Sequence, residues 1–455
     1  MKKPMTSAQR THMMLNQPVG RIICRLAVPS IISMLITSIY NMADTFFVSQ
    51  LGTSASGAVG VIFSAMAIIQ AVAFTIGMGS GSNVSRELGA GRDEEAHKFC
   101  AVGVVTAFVT GMVLCAVCLS NIDWLVRFLG ATETIAPYAV DYATYIFYGA
   151  PFMMASFAMN NMLRFQGLAA YGMVGITTGG ILNMILDPIL IFGFNLGTAG
   201  AAIATAISQF VSFSILLAMC NTRPDAITIR LRNFKPTLKM YGRILNNGLP
   251  SLGRQGIASV STIILNTTAG AWGDAAIAAL SIVSRFVMFI NSAVIGFGQG
   301  FQPVCGFNFG AGKYSRVREA FRFAVRGATI ILLCLVIIAL PFSRLIVTVF
   351  RADDPEVIRI GTLSMQLQLS TMPLWGMIVM GNMFTQSIGY GVRATIISAA
   401  RQGFCLIPLL LILPPVFGLV GLQICQPIAD VLTFFLSLLI VGSILRQMKT
   451  MPDKA

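Results

Sequence analysis

The sequence predicts an all-α polytopic membrane protein: twelve transmembrane helices in two six-helix lobes related by pseudo-twofold symmetry along the membrane normal. Three observations carry this expectation. Of 455 residues, 56% are apolar and only 11% charged, whereas ordinary globular domains are roughly a quarter charged. Twelve apolar stretches are each long enough to cross a bilayer, and the second half of the chain repeats the first. The same composition excludes disorder, collagen and a disulfide-stapled scaffold. A β-barrel is excluded because the apolar residues run unbroken instead of alternating with polar ones.

A bilayer core takes about 20 apolar residues per helix. The qualifying runs are 24–48, 57–80, 98–120, 135–158, 168–192, 198–220, 247–270, 276–301, 321–342, 357–381, 394–415 and 419–444. The first is too long for a signal-peptide core and has no small-residue cleavage site, so it reads as a retained helix.

Basic residues give the orientation, because Lys and Arg accumulate in cytoplasmic loops. Twenty-four fall on the side of the N-terminal tail, which itself carries Lys2, Lys3, Arg10, Arg21 and Arg25. The opposite side has four: Arg127, Arg344, Arg351 and Arg359. Arg254, Arg285 and Arg401 lie within spans. Both termini are therefore expected in the cytoplasm, and the net charge of +14 reflects topology. Nucleic acid is not an expected partner, since the basic residues occupy short loops without aromatic interleaving.

The halves match at an offset of about 221 residues. Pro29-Ser30 recurs as Pro250-Ser251, Gly77 and Gly79 as Gly298 and Gly300, and Leu88-Gly89-Ala90-Gly91 as Phe309-Gly310-Ala311-Gly312. After a one-residue slip, Pro151, Asn160 and Gly167 correspond to Pro373, Asn382 and Gly389. The expected organisation is an N-terminal lobe (1–220), a basic cytoplasmic linker (221–246) and a C-terminal lobe (247–455). Six spans per copy give both lobes one orientation, with a cavity between them. Such duplication within one chain points to an alternating-access carrier.

An ionisable group inside the bilayer costs at least about 2.5 kcal/mol on insertion scales, so each one needs a reason. Asp44 and Asp187 lie in the outer halves of spans 1 and 5, at similar depth. Tyr40 and Asn183 each precede an acid by four residues and share its helix face. Two carboxylates close together in a low dielectric do not both stay ionised easily, which makes the pair a proton carrier or, with hydroxyl and carbonyl neighbours, a sodium site. The C-terminal copy has Leu265 opposite Asp44, and Pro408 or Leu409 opposite Asp187, so the site is specialised to one lobe. Asp430 is expected to pair with Arg401 or Arg285. Pro29, six residues into span 1, removes a backbone hydrogen bond and marks a hinge that would swing Tyr40 and Asp44.

Nine scattered cysteines and two histidines outside the spans, His12 and His97, offer no metal or redox chemistry. No HExxH or GxSxG motif appears. No cofactor and no enzymatic activity are expected.

At these residues the chain resembles the multidrug and toxic compound extrusion (MATE) family, in its MepA-like bacterial branch. The resemblance rests on Ser38-Ile-Tyr-Asn-Met-Ala-Asp44-Thr-Phe-Phe-Val48, Glu87-Leu-Gly-Ala-Gly91, Asn160-Asn-Met-Leu-Arg164-Phe-Gln-Gly167, Asn183-Met-Ile-Leu-Asp187-Pro188, Gly200-Ala-Ala-Ile-Ala-Thr205 and Arg401-Gln-Gly403 with Pro408. It covers nearly the whole chain. It implies export of amphipathic, mostly cationic drugs across the bacterial cell membrane in exchange for protons or sodium. It also implies a cation and proton network of Tyr40, Asp44, Asn183, Asp187 and Thr205, with Asn160 lining the same cavity, and a bending proline at Pro29. No obligate protein partner is implied. Spans 7 and 10 carry no acidic residue, which favours coupling through the N-terminal lobe. The alternative is a flippase for a lipid-linked saccharide precursor, whose relatives carry more basic cavities.

Overall fold

A computed structural model describes residues 6–350 and 354–454; Lys2, Lys3 and Arg351 lie outside the described residues. Twelve helices cross the membrane in two six-helix lobes. Spans 1 to 6 are Val19–Ser49, Thr53–Gly89, Asp93–Ser120, Ala136–Phe165, Ala169–Pro188 (extended by a π turn, Ile189–Gly193) and Gly197–Thr222. Spans 7 to 9 are Leu238–Ala269, Asp274–Gly310 and Tyr314–Ala339. Span 10 joins Pro355–Thr371 to Trp375–Ser387 through a 3-10 turn, and spans 11 and 12 occupy Gly391–Ala399, Ala400–Phe404 and Leu406–Thr450.

Length and hydropathy alone would admit eight spans, the last running from Gly391 to Thr450. Three more are spans 4 and 7, diluted by polar side chains, and span 10, which the 3-10 turn Met372–Leu374 divides into helices of 17 and 13 residues. The eight become twelve because the last run is two spans: Gly418 takes φ 62°, a left-handed turn open to glycine, and the chain doubles back there. The helix of span 7 starts at Leu238, before the apolar run at 247. Its first turns carry Lys239, Arg243, Asn246 and Asn247, which are polar enough to stand outside the hydrocarbon. Thr237 caps them by accepting from the Met240 N–H at 3.2 Å.

The N-terminal helix Ser7–Asn16, the segment between the lobes and the C-terminus meet at one end of the molecule. Arg10 is buried and donates to the Asp225 carbonyl, the Ile227 N–H donates to Gln166 Oε1 at 2.8 Å, and the Ser315 N–H donates to Asp453 at 2.9 Å.

At this end the lobes are sealed against each other by glycine, and the seal obeys the twofold repeat. A Cβ on Gly89 would collide with the Phe307 carbonyl, and one on Gly310 with the Arg86 carbonyl. Gly79 meets the Ile244 carbonyl and the Gly248 nitrogen, and Gly300 meets the Ala27 backbone. Phe307 is the counterpart of Arg86, and Gly248 of Ala27, at an offset of 221, so the pseudo-twofold axis passes between these contacts. Backbones approach this closely only where side chains are absent, the usual device for packing membrane helices. Glu87, 1% exposed, adds an ionic latch: it pairs with Arg92 of its own lobe and with Arg243 of the other, each at 2.5 Å. Further along span 1, Ser38 and Ser292 are hydrogen-bonded across the lobes at 2.9 Å.

Among the described residues, the C-terminal lobe holds one buried ion pair of the expected kind. Asp430, fully buried, accepts from Arg401 Nε at 2.8 Å, Trp375 Nε1 at 2.8 Å and Gln426 Nε2 at 3.2 Å. Thr371 Oγ1 adds a fourth donor at 3.4 Å; together they tie spans 10, 11 and 12 in a structural network.

Candidate functional site

The site is built on span 1, span 5 and their neighbours. Gly180 of span 5 faces span 1, where a Cβ would stand 3.2 Å from the Tyr40 ring; the missing side chain lets the two helices close up. Tyr40, Asn183, Asp187 and Thr205 are all buried. Asn183 Nδ2 donates to Asp187 Oδ1 at 3.2 Å, as the four-residue helical spacing requires, and to Thr205 Oγ1 on span 6 at 3.2 Å. Asp44 accepts from the hydroxyl of Tyr142 at 3.4 Å.

What distinguishes the cluster is what it leaves unmade. Asp44 Oδ1, Asp187 Oδ2 and Asn183 Oδ1 are buried acceptors with no hydrogen-bond donor. A buried polar atom normally has a partner, and no cationic side chain pairs with either acid among the described residues. Each of these three oxygens is an acceptor that a proton or a bare cation could satisfy. Asn183 borders a cavity of about 20 Å³ that is lined also by Thr37, Tyr40, Gly180, Thr205 and Ser208 and by neither acid. That is room for about one water-sized species and too little for a drug. The donor set is hard oxygen, which suits a proton or sodium and not a soft transition metal.

Of the residues singled out in the sequence, Tyr40, Asn183, Thr205 and Asp187 converge. Asp44 is half-buried and bonded to Tyr142, with no hydrogen bond to the other four. Asn160 is half-buried beside Gly172, and no hydrogen bond joins it to the two acids. Pro29 sits in an unbroken helix, its carbonyl accepting from Ser33 Oγ at 3.0 Å. The ring removes the N–H that Arg25 would otherwise receive, a weak point in a helix that runs continuously from Val19 to Ser49.

The MatE family model matches residues 29–189 and 250–412, two stretches that start 221 residues apart, which is the offset of the internal repeat. The chain belongs to the MatE family. It is a transport protein and not an enzyme. Among curated relatives, the multidrug export protein MepA of Staphylococcus haemolyticus is 27% identical over 96% of each chain. Among solved structures, an outward-facing multidrug resistance MATE transporter of the MOP superfamily superposes with a TM-score of 0.91 at 26% identity, covering 98% of this chain and all of its own. A MOP superfamily transporter from Pyrococcus furiosus, described as having a binding pocket of reversed polarity, also gives 0.91, at 25% identity over 99% of this chain and all of its own.

Within this MatE-family site, sequence reasoning missed Tyr142, which is fully buried and reaches Asp44. A tyrosine near the outer membrane interface reads as an interfacial anchor. The available signal was its pairing with Ala139, Ala143 and Ile146, an inward-facing stripe at helical spacing.

Proposed function

We propose that this protein is a secondary active multidrug exporter of the bacterial cell membrane, with both termini cytoplasmic. It exchanges amphipathic, mostly cationic compounds for protons, or for sodium, by alternating access. The observation that carries this reading is the trio of unsatisfied buried oxygens on Asp44, Asp187 and Asn183. They are unmet acceptors in the N-terminal lobe, two on span 5 four residues apart and one on span 1. The names of the curated relatives, which are multidrug export proteins, support the cargo class. The seal at the end bearing the termini supports a state open to the outside.

In that state Asp44 and Asp187 take up the coupling cation. Its charge neutralises the pair and redraws their contacts to Tyr142 and Asn183, and span 1 bends at the weak point near Pro29. The substrate leaves outward, and the return swing releases the cation inside. Linkage requires that drug and cation disfavour each other at this cluster, because a ligand shifts an equilibrium only by its difference in affinity for the two states.

The test is dye efflux from proteoliposomes with proton and sodium gradients imposed separately. One gradient, inward-directed, is expected to drive a cationic dye out against its concentration. Absence of uphill movement under either gradient would end the antiport reading.

A further inference from the structure

The C-terminal lobe keeps its own version of the N-terminal cavity, with the charge reversed. A space of about 130 Å³ opens between spans 7, 8, 10 and 11, lined by Arg254, Asn291, Asn382, Ser398, Arg401 and Gln402 among others. Its lining is the pseudo-symmetric image of the N-terminal one. At an offset of 221, Thr37 maps to Ala258; at 222, Phe157, Ile176, Gly179 and Gly180 map to Val379, Ser398, Arg401 and Gln402. The substitutions change the chemistry. Arg254 stands where the first copy has Ser33, and Arg401 where it has Gly179, while Asp44 has become Leu265.

Arg401 is matched by Asp430 through its Nε, and its guanidinium lies 3.9 Å from the Trp375 ring centroid. Arg254 has no ion-pair or hydrogen-bond partner among the described residues. Beside it, Asn291 Oδ1 is buried and without a donor. One acid against two arginines leaves the cavity with an uncompensated positive charge. A guanidinium kept in that position is a planar fork suited to a carboxylate. The volume is several times that of the N-terminal cavity, enough for a carboxylate and the first carbons behind it.

We propose that this cavity binds the carboxylate of amphipathic acids, zwitterions included, with Arg254 as the anion-recognising residue. The ligand range then extends beyond cations: the N-terminal lobe presents acid to a cationic group and the C-terminal lobe presents base to an anionic one. That such ligands are cargo rests on the export function proposed above; that they bind does not.

The test is equilibrium binding without any gradient, so a failure of antiport leaves it untouched. Full-length protein in neutral-lipid nanodiscs is titrated, against empty discs, with 11-(dansylamino)undecanoic acid and with its methyl ester. The wild type is expected to bind the acid at least about tenfold more tightly than the ester, the scale of one charge-assisted contact. Arg254→Gln is expected to erase that preference, and Arg254→Lys to retain part of it. Equal binding of acid and ester by the wild type would overturn the proposal, and so would a preference that survives Arg254→Gln. Should the glutamine variant fail to fold, the wild-type ratio and the lysine variant decide.

Discussion

Asp187→Asn is expected to stop gradient-driven export while leaving a folded protein. The substitution keeps the shape of the side chain, and the new amide oxygen can still accept from Asn183, as Asp187 Oδ1 does at 3.2 Å. What it removes is the ability to gain and lose a charge at a fully buried position. The second carboxylate oxygen, Oδ2, has no donor in this conformation and is the atom that a proton or cation would occupy. An amide there presents a permanent neutral group, so both halves of the transport cycle see the same site. Coupling between ligands is typically worth a factor of roughly 5–150 in affinity, and the variant forfeits it. In proteoliposomes, uphill dye efflux should fall to the passive level, with dye binding in detergent still measurable. Full-rate pumping by Asp187→Asn would show that the charge lies elsewhere.

A second large effect is expected where the lobes meet. Gly79→Val should bias the molecule away from the state seen here. The added Cβ is directed at the Ile244 carbonyl, and backbone in the middle of a helix has little freedom to yield. Overpacking a well-fitted contact costs about 1–3 kcal/mol, a shift of roughly 5–150-fold in a two-state population. The penalty applies only while the terminus-bearing end is sealed, so opening that end relieves it. A donor–acceptor dye pair on Glu94→Cys and Lys239→Cys, two exposed positions at that end, in a cysteine-free background, reports the change. The mean separation should lengthen in Gly79→Val. An unchanged separation would mean that this packing does not distinguish the two states.

Much of the fold was legible because membrane solvation leaves little choice. A lipid-facing helix must be apolar along its whole length, and a duplicated sequence must return to the same architecture. The boundary near Leu238 was less legible, because Lys239, Arg243 and Asn246 extend a helix beyond the apolar run that marks it. The site was legible to the extent that charge in lipid is conspicuous. Asp44 and Asp187 stood out from their runs, and Tyr40 and Asn183 followed from helical spacing. The Asp430 pair was also readable, though the choice between Arg401 and Arg285 needed the structure. Thr205 is a hydroxyl like many others and was reached only through the family resemblance. Tyr142 belongs to a residue type that membranes use for anchoring. Arg254 drew notice as a charge within a span, but only the structure shows that it lines a cavity without a partner among the described residues.

The most direct test of the coupling site is the affinity of purified protein for a cationic dye as a function of pH and of sodium, with no gradient present. If Asp44 and Asp187 are shared in alternation by drug and cation, dye affinity weakens as proton or sodium activity rises, because the ion-loaded pair offers the drug no negative charge. Asp187→Asn then flattens the dependence. An affinity indifferent to both ions in the wild type, or a dependence that persists unaltered in Asp187→Asn, would contradict the account.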